Sequence, residues 1–504
     1  MKIFTAQQIR EGDQYTIQNE PIRSIDLMER AAFQCVEWLA IHFTKKSMFY
    51  IFCGVGNNGG DGFAIAKLLL EKGYMVKTFT ILFSHKFSAD CEENKKNLEA
   101  NYPNHCFDVE NITQFPSIPK DTVLIDALFG TGLNRPLKGF VEEIVLKLNS
   151  KNNTILSIDM PSGLQAEEND IEKVAIKATY TLSFQFNKLA FFFRENKKYT
   201  GKVAILNINI LPDYINATPT SYYITSKNWL SKQYKRRNNF SHKGTYGHSL
   251  LMAGSYGKMG AAVLATKANI HSGSGLTSVH IPKCGYNILQ TTVPEAMCIC
   301  DYDDLHLSGF KEKKAQWDAI GIGPGIGMKN DTRHFLKSVL QETSTPMIID
   351  ADGLNIIGKE KKLLPCIPQG SILTPHPKEF ERLFGTTNNS FERLQLQIQK
   401  SKELKITILL KGHHTSISTA EGKVWFNNTG NAGMATGGSG DILTGLITGL
   451  LAQGYTPSTA AIMGAWIHGK AADLALKTES MESLTASKII DHFGAAFKSI
   501  AENK

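Results

Sequence analysis

The chain has 504 residues, 42% of them hydrophobic and 20% charged, a composition of soluble globular proteins and a length for two or three domains. A net charge of +8 is modest for this length. The densest basic segment, residues 232–243 (KQYKRRNNFSHK), reads first as a solvated linker and only weakly as an attractor of anions. The eight cysteines include no CxxC and no Cys/His spacing of a zinc site; Cys298 and Cys300 would share one strand face, and free, mostly buried thiols fit a reducing cytosol. The start, MKIFTAQQIREGDQ, lacks the apolar core of a signal peptide, and no apolar run is long enough to span a bilayer, so a cytoplasmic location is expected.

Residues 24–43 repeat apolar side chains at helical spacing, with Ser24 placed to cap. The run 48–56 reads as a buried strand that enters the loop GVGNNGGDG (54–62), followed by an apolar helix closed by Gly73. Next come a strand over 75–83, a polar helix over 91–101, the strand 122–130, a helix over 139–149 and the strand 155–159. Strand-like runs at 178–184 and 202–210 complete an alternation that predicts a doubly wound, largely parallel sheet. Ligands of such sheets sit at the carboxyl ends of the strands. Three polar clusters fall there: GNNGGDG, DALFGTGLNRPLKG (126–139) and DMPSGL (159–164). Gly54-x-Gly56-x-x-Gly59 matches the dinucleotide fingerprint nominally, but the second strand ends ILFSHK without the acid that a ribose hydroxyl needs. The oxygens of Asn57, Asn58 and Asp61 suit an oxygen-coordinated cation or a polar ligand better.

Residues 211–240 lose the pattern, which places a domain boundary near 215–225 and domains at 1–218 and 219–504. The second half repeats the theme without repeating the sequence. Apolar runs end in polar turns at HSLLMAGS (248–255), AIGIGPGIG (319–327), PMIIDADGLN (346–355), SILTPHPKEF (371–380) and ITILLKGHHTSI (406–417), with a small-residue helix over 260–270. Last comes GNAGMATGGSGDILTGLITGLLAQG (430–454). A glycine-rich loop turns at Gly440-Asp441 into a run with helical spacing, so a helix N-terminus with free N–H groups would face an anion. Asp441 beside it is either a plain first-turn acid or a group that takes a proton from an attacking hydroxyl.

On these motifs, in this order and over nearly its whole length, the chain resembles the bacterial bifunctional NAD(P)H-hydrate repair enzymes. The resemblance implies a Rossmann-like α/β NAD(P)H-hydrate epimerase domain followed by a ribokinase-like α/β, ADP-dependent NAD(P)H-hydrate dehydratase domain. It implies that the epimerase holds the hydrate with Asn57, Asn58, Gly59, Gly60, Asp61, Gly130, Thr131, Gly132, Leu133, Asn134, Arg135, Pro136 and Asp159. A potassium ion would rest on Asn58, Asp126 and Ser162, and Asp159 would shuttle the proton. A structural carboxylate capping the 161–163 turn is the plainer account of Asp159. Lys188 is a candidate for orienting a substrate phosphate.

In the dehydratase, Ala262, Gly325, His376 and Asp441 would contact the hydrate; His376 is equally explicable as a turn histidine between two prolines. Lys411, Gly412, His413, His414 and Thr415 would line the ADP site, and Gly437, Gly438, Ser439 and Gly440 would bind the transferring phosphoryl group. The chain departs from the family at His413 and His414, where small residues are common. A magnesium ion with unassigned ligands is implied. Expected partners are the small molecules NADHX, NADPHX and ADP and further copies of the chain in a homo-oligomer, with no nucleic acid and no membrane. The same turns would also serve a ribokinase-like small-molecule kinase fused to a nucleotide-binding regulatory domain.

Overall fold

The computed structural model describes residues 1–168, 172–310 and 317–502. The chain divides into two compact units: Lys2–Thr220 with Asn389–Phe391, and Met1 with Ser221–Asn388 and Glu392–Lys504. No described helix is long and apolar enough to cross a membrane.

The sheet of the first unit is made of β1 Met48–Cys53, β2 Met75–Ile81, β3 Cys106–Val109, β4 Val123–Ala127, β5 Ile155–Ile158, β6 Tyr180–Phe184 and β7 Lys202–Leu206. They form one sheet in the order β3-β2-β1-β4-β5-β6-β7, every pair parallel. The chain leaves β1 in one direction and returns to its other side as β4, so the crevice for a ligand opens beyond the ends of β1 and β4. The final strand stops at Leu206, short of the expected 210. Asn209 takes a left-handed φ of 59°, and the Ile208 amide turns to the Gln185 side chain at 2.9 Å.

The longer helices of this unit are α1 Ala6–Asn19, α2 Ser24–His42, α3 Asn57–Glu71, α4 Ala89–Asn101 and α5 Phe140–Asn149. α1 was not anticipated from the periodicity; a capping box between Thr5 and Gln8 starts it. Ser24 does not cap α2. Arg23 is the N-cap residue, its amide donates to Asp26 at 2.9 Å, and the Ser24 hydroxyl donates to Asp90 at 2.6 Å instead. The run NNGGD is not a loop but the first turns of α3. A Cβ on Gly59 would stand 1.9 Å from the Gly54 carbonyl oxygen, so the glycines let the helix start directly against the strand end.

In the second unit the strands are β8 Tyr222–Ile224, β9 His248–Met252, β10 Leu276–Ile281, β11 Met297–Cys300, β12 Ala319–Ile322, β13 Met347–Ile349, β14 Ile372–Leu373, β15 Thr407–Leu410, β16 Ser416–Ser418 and β17 Val424–Phe426. Their order is β8-β17-β16-β15-β14-β13-β12-β9-β10-β11. All neighbours are parallel except β15–β16 and β16–β17. Again the chain switches direction beside its first long strand, between β9 and β12.

The helices that matter for the site are α6 Met259–His271, α7 Pro377–Phe384, α8 Ser439–Ala452 and α9 Pro457–Ala475. α8 begins at Ser439, earlier than the expected turn at Gly440-Asp441, because Gly438 supplies the left-handed N-cap with φ 86°. From Ile442 to Ala452 every residue of α8 is buried, as expected of a helix that is apolar all round. Gly445 lies so close to α6 that a Cβ would stand 2.0 Å from the Ala265 carbonyl oxygen. Burying the six Ile and Leu side chains of α8 contributes roughly 1.5–3 kcal/mol each before the cost of ordering the chain.

Two expectations about composition change. The basic segment 232–243 is no free linker. The Lys235 ammonium donates to the Gly454 carbonyl at 2.7 Å, Arg236 to the Ala501 carbonyl at 3.3 Å and Arg237 to the Gly273 carbonyl, all at or just beyond helix C-termini, where cations are favoured. The cysteines are free, but only Cys35, Cys53 and Cys91 are buried; Cys300 is exposed because β11 is an edge strand.

Candidate functional site

In the first unit a 450 Å³ cavity opens beyond the strand ends. Its walls include Asn57, Asn58, Asp61, Gly130, Thr131, Gly132, Leu133 and Asp159, and also Arg10 and Asp13 from α1. Gly59 and Gly60 do not line it; they face the Gly54 carbonyl and the Met28 sulfur, where there is no room for a side chain. Asn134, Arg135 and Pro136 stand exposed beyond the cavity wall.

Asp159 sits in the turn after β5 with φ 62°, a conformation that costs a residue with a Cβ roughly 1–3 kcal/mol and persists where the surroundings enforce it. It does not cap the turn 161–163. That is done by Asp126, which accepts the Ser162 amide at 2.9 Å and the Ser162 and Ser157 hydroxyls. Asp159 accepts the Thr131 amide at 3.0 Å and the Lys188 ammonium at 2.7 Å. Lys188 is 1% exposed and also donates to the Ser183 hydroxyl and the Phe184 carbonyl, so all its protons are committed inside the protein. It is therefore not placed to orient a phosphate, as its sequence context suggested; it holds Asp159.

Electrostatics separate the carboxyls of this cavity. Burial alone would push Asp159 up, but the Lys188 charge and hydrogen bond, with the Thr131 and Phe184 backbone, hold it below the ordinary aspartate value. Burial, then Asp159 and Asp13, push Asp61 well above it. One cavity thus holds carboxyls whose proton affinities are pushed in opposite directions, the arrangement that separates acid from base.

Of the expected cation ligands, Asp126 and Ser162 are hydrogen-bonded to each other. The Asn58 amide is buried and neither its oxygen nor its nitrogen has a hydrogen-bond partner, an expensive state unless something else satisfies it. A Cβ on Gly130 would lie 3.2 Å from the Asn58 oxygen and 3.0 Å from an Asp159 oxygen, which locates both groups around one point. The Ser162 hydroxyl is shared between Asp126 and the Phe129 carbonyl. Neutral oxygens with one carboxylate suit a large monovalent cation.

In the second unit the site is built around Asp350, the last residue before the helix Ala351–Lys359 and 1% exposed. One Asp350 oxygen accepts the Lys411 ammonium at 2.8 Å and the other the Thr444 hydroxyl at 2.8 Å. A Cβ on Gly440 would lie 3.6 Å from both Asp350 and Lys411, so the first turn of α8 meets this pair. No side chain caps α8. Asp441, in the same turn, is pushed up to about 6 by burial, then by Asp350 and Asp352, against Lys411. It is a base that ionises near neutrality, supplied with a nearby cation but not paired with it.

The remaining predicted residues divide. Gly325 stands in the turn after β12 with its carbonyl accepting Ser255 at 2.7 Å, and Asp352 binds the Gly327 amide at 2.9 Å and Lys258 at 3.2 Å. Ala262 is fully buried, with its methyl in the apolar core between α6 and the sheet. His376 is the N-cap of α7: its Nδ1 accepts the Lys378 and Glu379 amides at 3.1 and 3.3 Å. Burial, then Lys411, lowers its basicity and keeps it neutral for that role. The stretch 411–415 is a closed turn, with the Thr415 hydroxyl donating to the Gly412 carbonyl at 3.1 Å and the rings of His413 and His414 edge to face. Ser439 stands 3.4 Å from His468, which burial and then Lys411 lower to about 4.

Sequence reasoning gave no role to Asp13, Arg10, Asp350 or Thr444. Asp350 lies in the motif DADGLN, and its position at a strand end is a usable signal. Asp13 lay in a stretch with no assigned structure, where the Thr5–Gln8 capping box could have revealed the helix.

Comparison with known proteins gives two family matches: the family described as NAD(P)H-hydrate dehydratase over residues 249–493, and the family described as YjeF-related protein N-terminus over residues 24–190. The bifunctional NAD(P)H-hydrate repair enzyme Nnr of Moorella thermoacetica is 31% identical over all of this chain and 98% of its own. The enzyme of the same name from Coxiella burnetii is 30% identical over 97% of this chain and 98% of its own. Among solved structures, an ADP/ATP-dependent NAD(P)H-hydrate dehydratase of Bacillus subtilis, co-crystallised with ATP/Mg2+, is 29% identical and covers 56% of this chain and 100% of its own, with a TM-score of 0.49.

Proposed function

The chain belongs to the family of bifunctional NAD(P)H-hydrate repair enzymes, and from that premise we propose how its two sites share the repair. The first domain, taken as residues 1–218, interconverts the R and S hydrates of NADH and NADPH. The second, residues 219–504, dehydrates the S hydrate at the expense of ADP. Both are α/β, the first Rossmann-like and the second ribokinase-like. The observation that carries the assignment is the uncapped first turn of α8, where Asp441, raised to about 6, meets the Lys411–Asp350 pair.

In the second site Asp441 takes the proton of the hydrate hydroxyl as its oxygen attacks the terminal phosphorus of ADP. The amides at Gly437, Gly438, Ser439 and Gly440 and the Lys411 ammonium stabilise the charge on the transferring group. AMP leaves. The ring nitrogen lone pair then expels phosphate in place of the far poorer leaving group hydroxide, and loss of a ring proton gives NAD(P)H. Lys411, Gly412, His413, His414 and Thr415 bound the nucleotide, and Gly325 and His376 the hydrate. Among the described residues no cluster of three or more His, Cys, Asp and Glu side chains could hold a metal. A magnesium ion bound here with the nucleotide would neutralise phosphate charge.

In the first site Asp159, kept ionised by Lys188, moves the proton, and Asn57, Asn58, Asp61, Gly130, Thr131, Gly132 and Leu133 hold the hydrate. The unsatisfied Asn58 amide, Asp126 and Ser162 would hold potassium, which supplies a fixed positive charge near the substrate. Eight free cysteines support a reducing, cytoplasmic setting, and the exposed Tyr286, Ile288 and Met297 near edge strand β11 support a homo-oligomer, to be checked by sedimentation.

The test supplies the protein with both hydrate epimers, with ADP or ATP, and with potassium or sodium. Full recovery of reduced-nicotinamide absorbance with ADP and potassium is expected, faster than spontaneous epimerisation allows. Recovery that halts at the fraction of one epimer would remove the first activity, and accumulation of a stable phosphorylated product would identify a kinase.

A further inference from the structure

The α1 helix brings to the epimerase cavity a carboxyl that the scheme above does not use. Ile9, Arg10 and Asp13 all line the cavity, and Asp13 lies one helical turn beyond Ile9. The helix is held rigidly. A Cβ on Gly12 would stand 2.9 Å from the Tyr214 ring, the Tyr214 hydroxyl donates to the Gln8 carbonyl at 2.5 Å, and the Leu211 amide donates to the Thr16 hydroxyl at 3.2 Å. Phe4 and Ile9 anchor its start in an apolar cluster with Phe186 and Ile208.

Among the described residues no group hydrogen-bonds or ion-pairs with the half-buried Asp13 carboxyl. Asp159, across the sheet edge, is tied to Thr131 and Lys188, and Asp61 is buried. Asp13 is therefore the carboxyl of this cavity that is fixed by its helix yet free to exchange a proton with a ligand or with water.

Resting on the reading of the first unit as an epimerase, we infer that Asp13 is the second proton-transfer residue of that site, working as a pair with Asp159 from a different wall of the cavity. An epimerase must protonate a departing hydroxyl and deprotonate the water that replaces it on the other face of the ring. In one direction the Asp13 carboxyl gives its proton to the hydroxyl. The bond from the ring carbon to oxygen breaks, its electrons leave with water, and the ring nitrogen lone pair forms a C=N iminium. Water adds to the same carbon from the other face, the C=N electrons return to nitrogen, and the Asp159 carboxylate takes the proton. The reverse direction uses the same groups in exchanged roles. One proton enters and one leaves, and solvent water resets the pair.

The charge balance of the cavity agrees. Burial, then the neighbouring Asp159 charge, raise Asp13 to about 7 against Lys188, so it can both give and take a proton at neutral pH. The groups facing it are Asp159 and Lys188, Asp61 on α3 and Arg10 on its own helix. Epimerisation should fall as the pH rises through about 7, when the shared proton is lost.

The experiment uses the full chain, one isolated hydrate epimer and 18O-labelled water. The wild-type protein is expected to epimerise with incorporation of solvent oxygen. Asp13→Asn is expected to lose epimerisation by a factor on the order of 10²–10⁴ with little change in KM, while dehydration of the S hydrate with ADP and the thermal midpoint stay at wild-type values. Asp13→Glu should recover part of the rate. Wild-type epimerisation by Asp13→Asn, or epimerisation of the wild type with full retention of the original oxygen, overturns the inference. That isotope result and the wild-type pH profile stand even if Asp13→Asn does not fold. A wild-type protein that does not epimerise at all would instead refute the epimerase reading on which the inference rests.

Discussion

Each unit sets one lysine against one aspartate at the carboxyl edge of its sheet, and the two pairs are used differently. In the first unit Lys188 lies 2.7 Å from Asp159, the proposed working carboxylate, and keeps it ionised. In the second, Lys411 lies 2.8 Å from Asp350, a supporting carboxylate, and Asp441 is left unpaired and raised to about 6. A salt bridge made to the working group fixes its charge; the same bridge made to a neighbour leaves the working group able to titrate. Exposure differs to match, since the Lys188 side chain is 1% exposed and the Lys411 side chain 24%.

The sharpest way to break this comparison is to exchange the carboxylates for amides. Asp441→Asn should lower dehydration by about 10²–10⁴-fold and spare epimerisation, and Asp159→Asn should do the reverse. Separate assays of the two activities decide it; loss of both in either variant would mean that the sites are not independent. Next in size, Lys188→Met strands a buried carboxylate and should destabilise the first unit by about 3–5 kcal/mol in a denaturant titration. Lys411→Met, at a partly exposed pair, should cost less and act mainly on ADP use.

A third outcome concerns pH. Because the Asp441 carboxyl is raised to about 6, its ionised form exists above that value, so dehydration should fall about tenfold per unit as the pH drops below about 6. Asp159, held low, should impose no such limb on epimerisation. Smaller effects come from adding one methyl. Gly130→Ala pushes a Cβ to 3.0 Å from Asp159 and 3.2 Å from Asn58 and should lower the epimerase rate on the order of tenfold and raise its potassium requirement. Gly440→Ala reaches only 3.6 Å from Asp350 and Lys411 and should leave folding unchanged. Smallest is Thr444→Val, which removes one hydrogen bond to Asp350 and should cost ~1 kcal/mol of stability.

The sequence by itself determined the alternation of strands and helices, the edge at which the polar turns collect, and the position of Asp441 in the first turn of a buried helix. These features are written in local patterns: apolar runs of strand length, apolar spacing of helical period, and glycines where backbones approach closely. The resemblance that those motifs carry is what singled out Asn58, Asp126, Asp159 and Ser162. Tertiary structure alone decided what each does. Lys188 reads in sequence as a candidate for orienting a substrate phosphate, yet it is buried on Asp159 through a contact 29 residues distant in sequence. Ala262 sits in a small-residue helix that could face a ligand, yet it faces the core. Asp350 and Lys411, 61 residues apart, and Asp13, in a stretch with no strong periodicity, acquire their meaning only when separate strands and a terminal helix converge. Local patterns report which element a residue belongs to. Whether its charge is paired, buried or free to titrate depends on neighbours that the chain supplies from elsewhere.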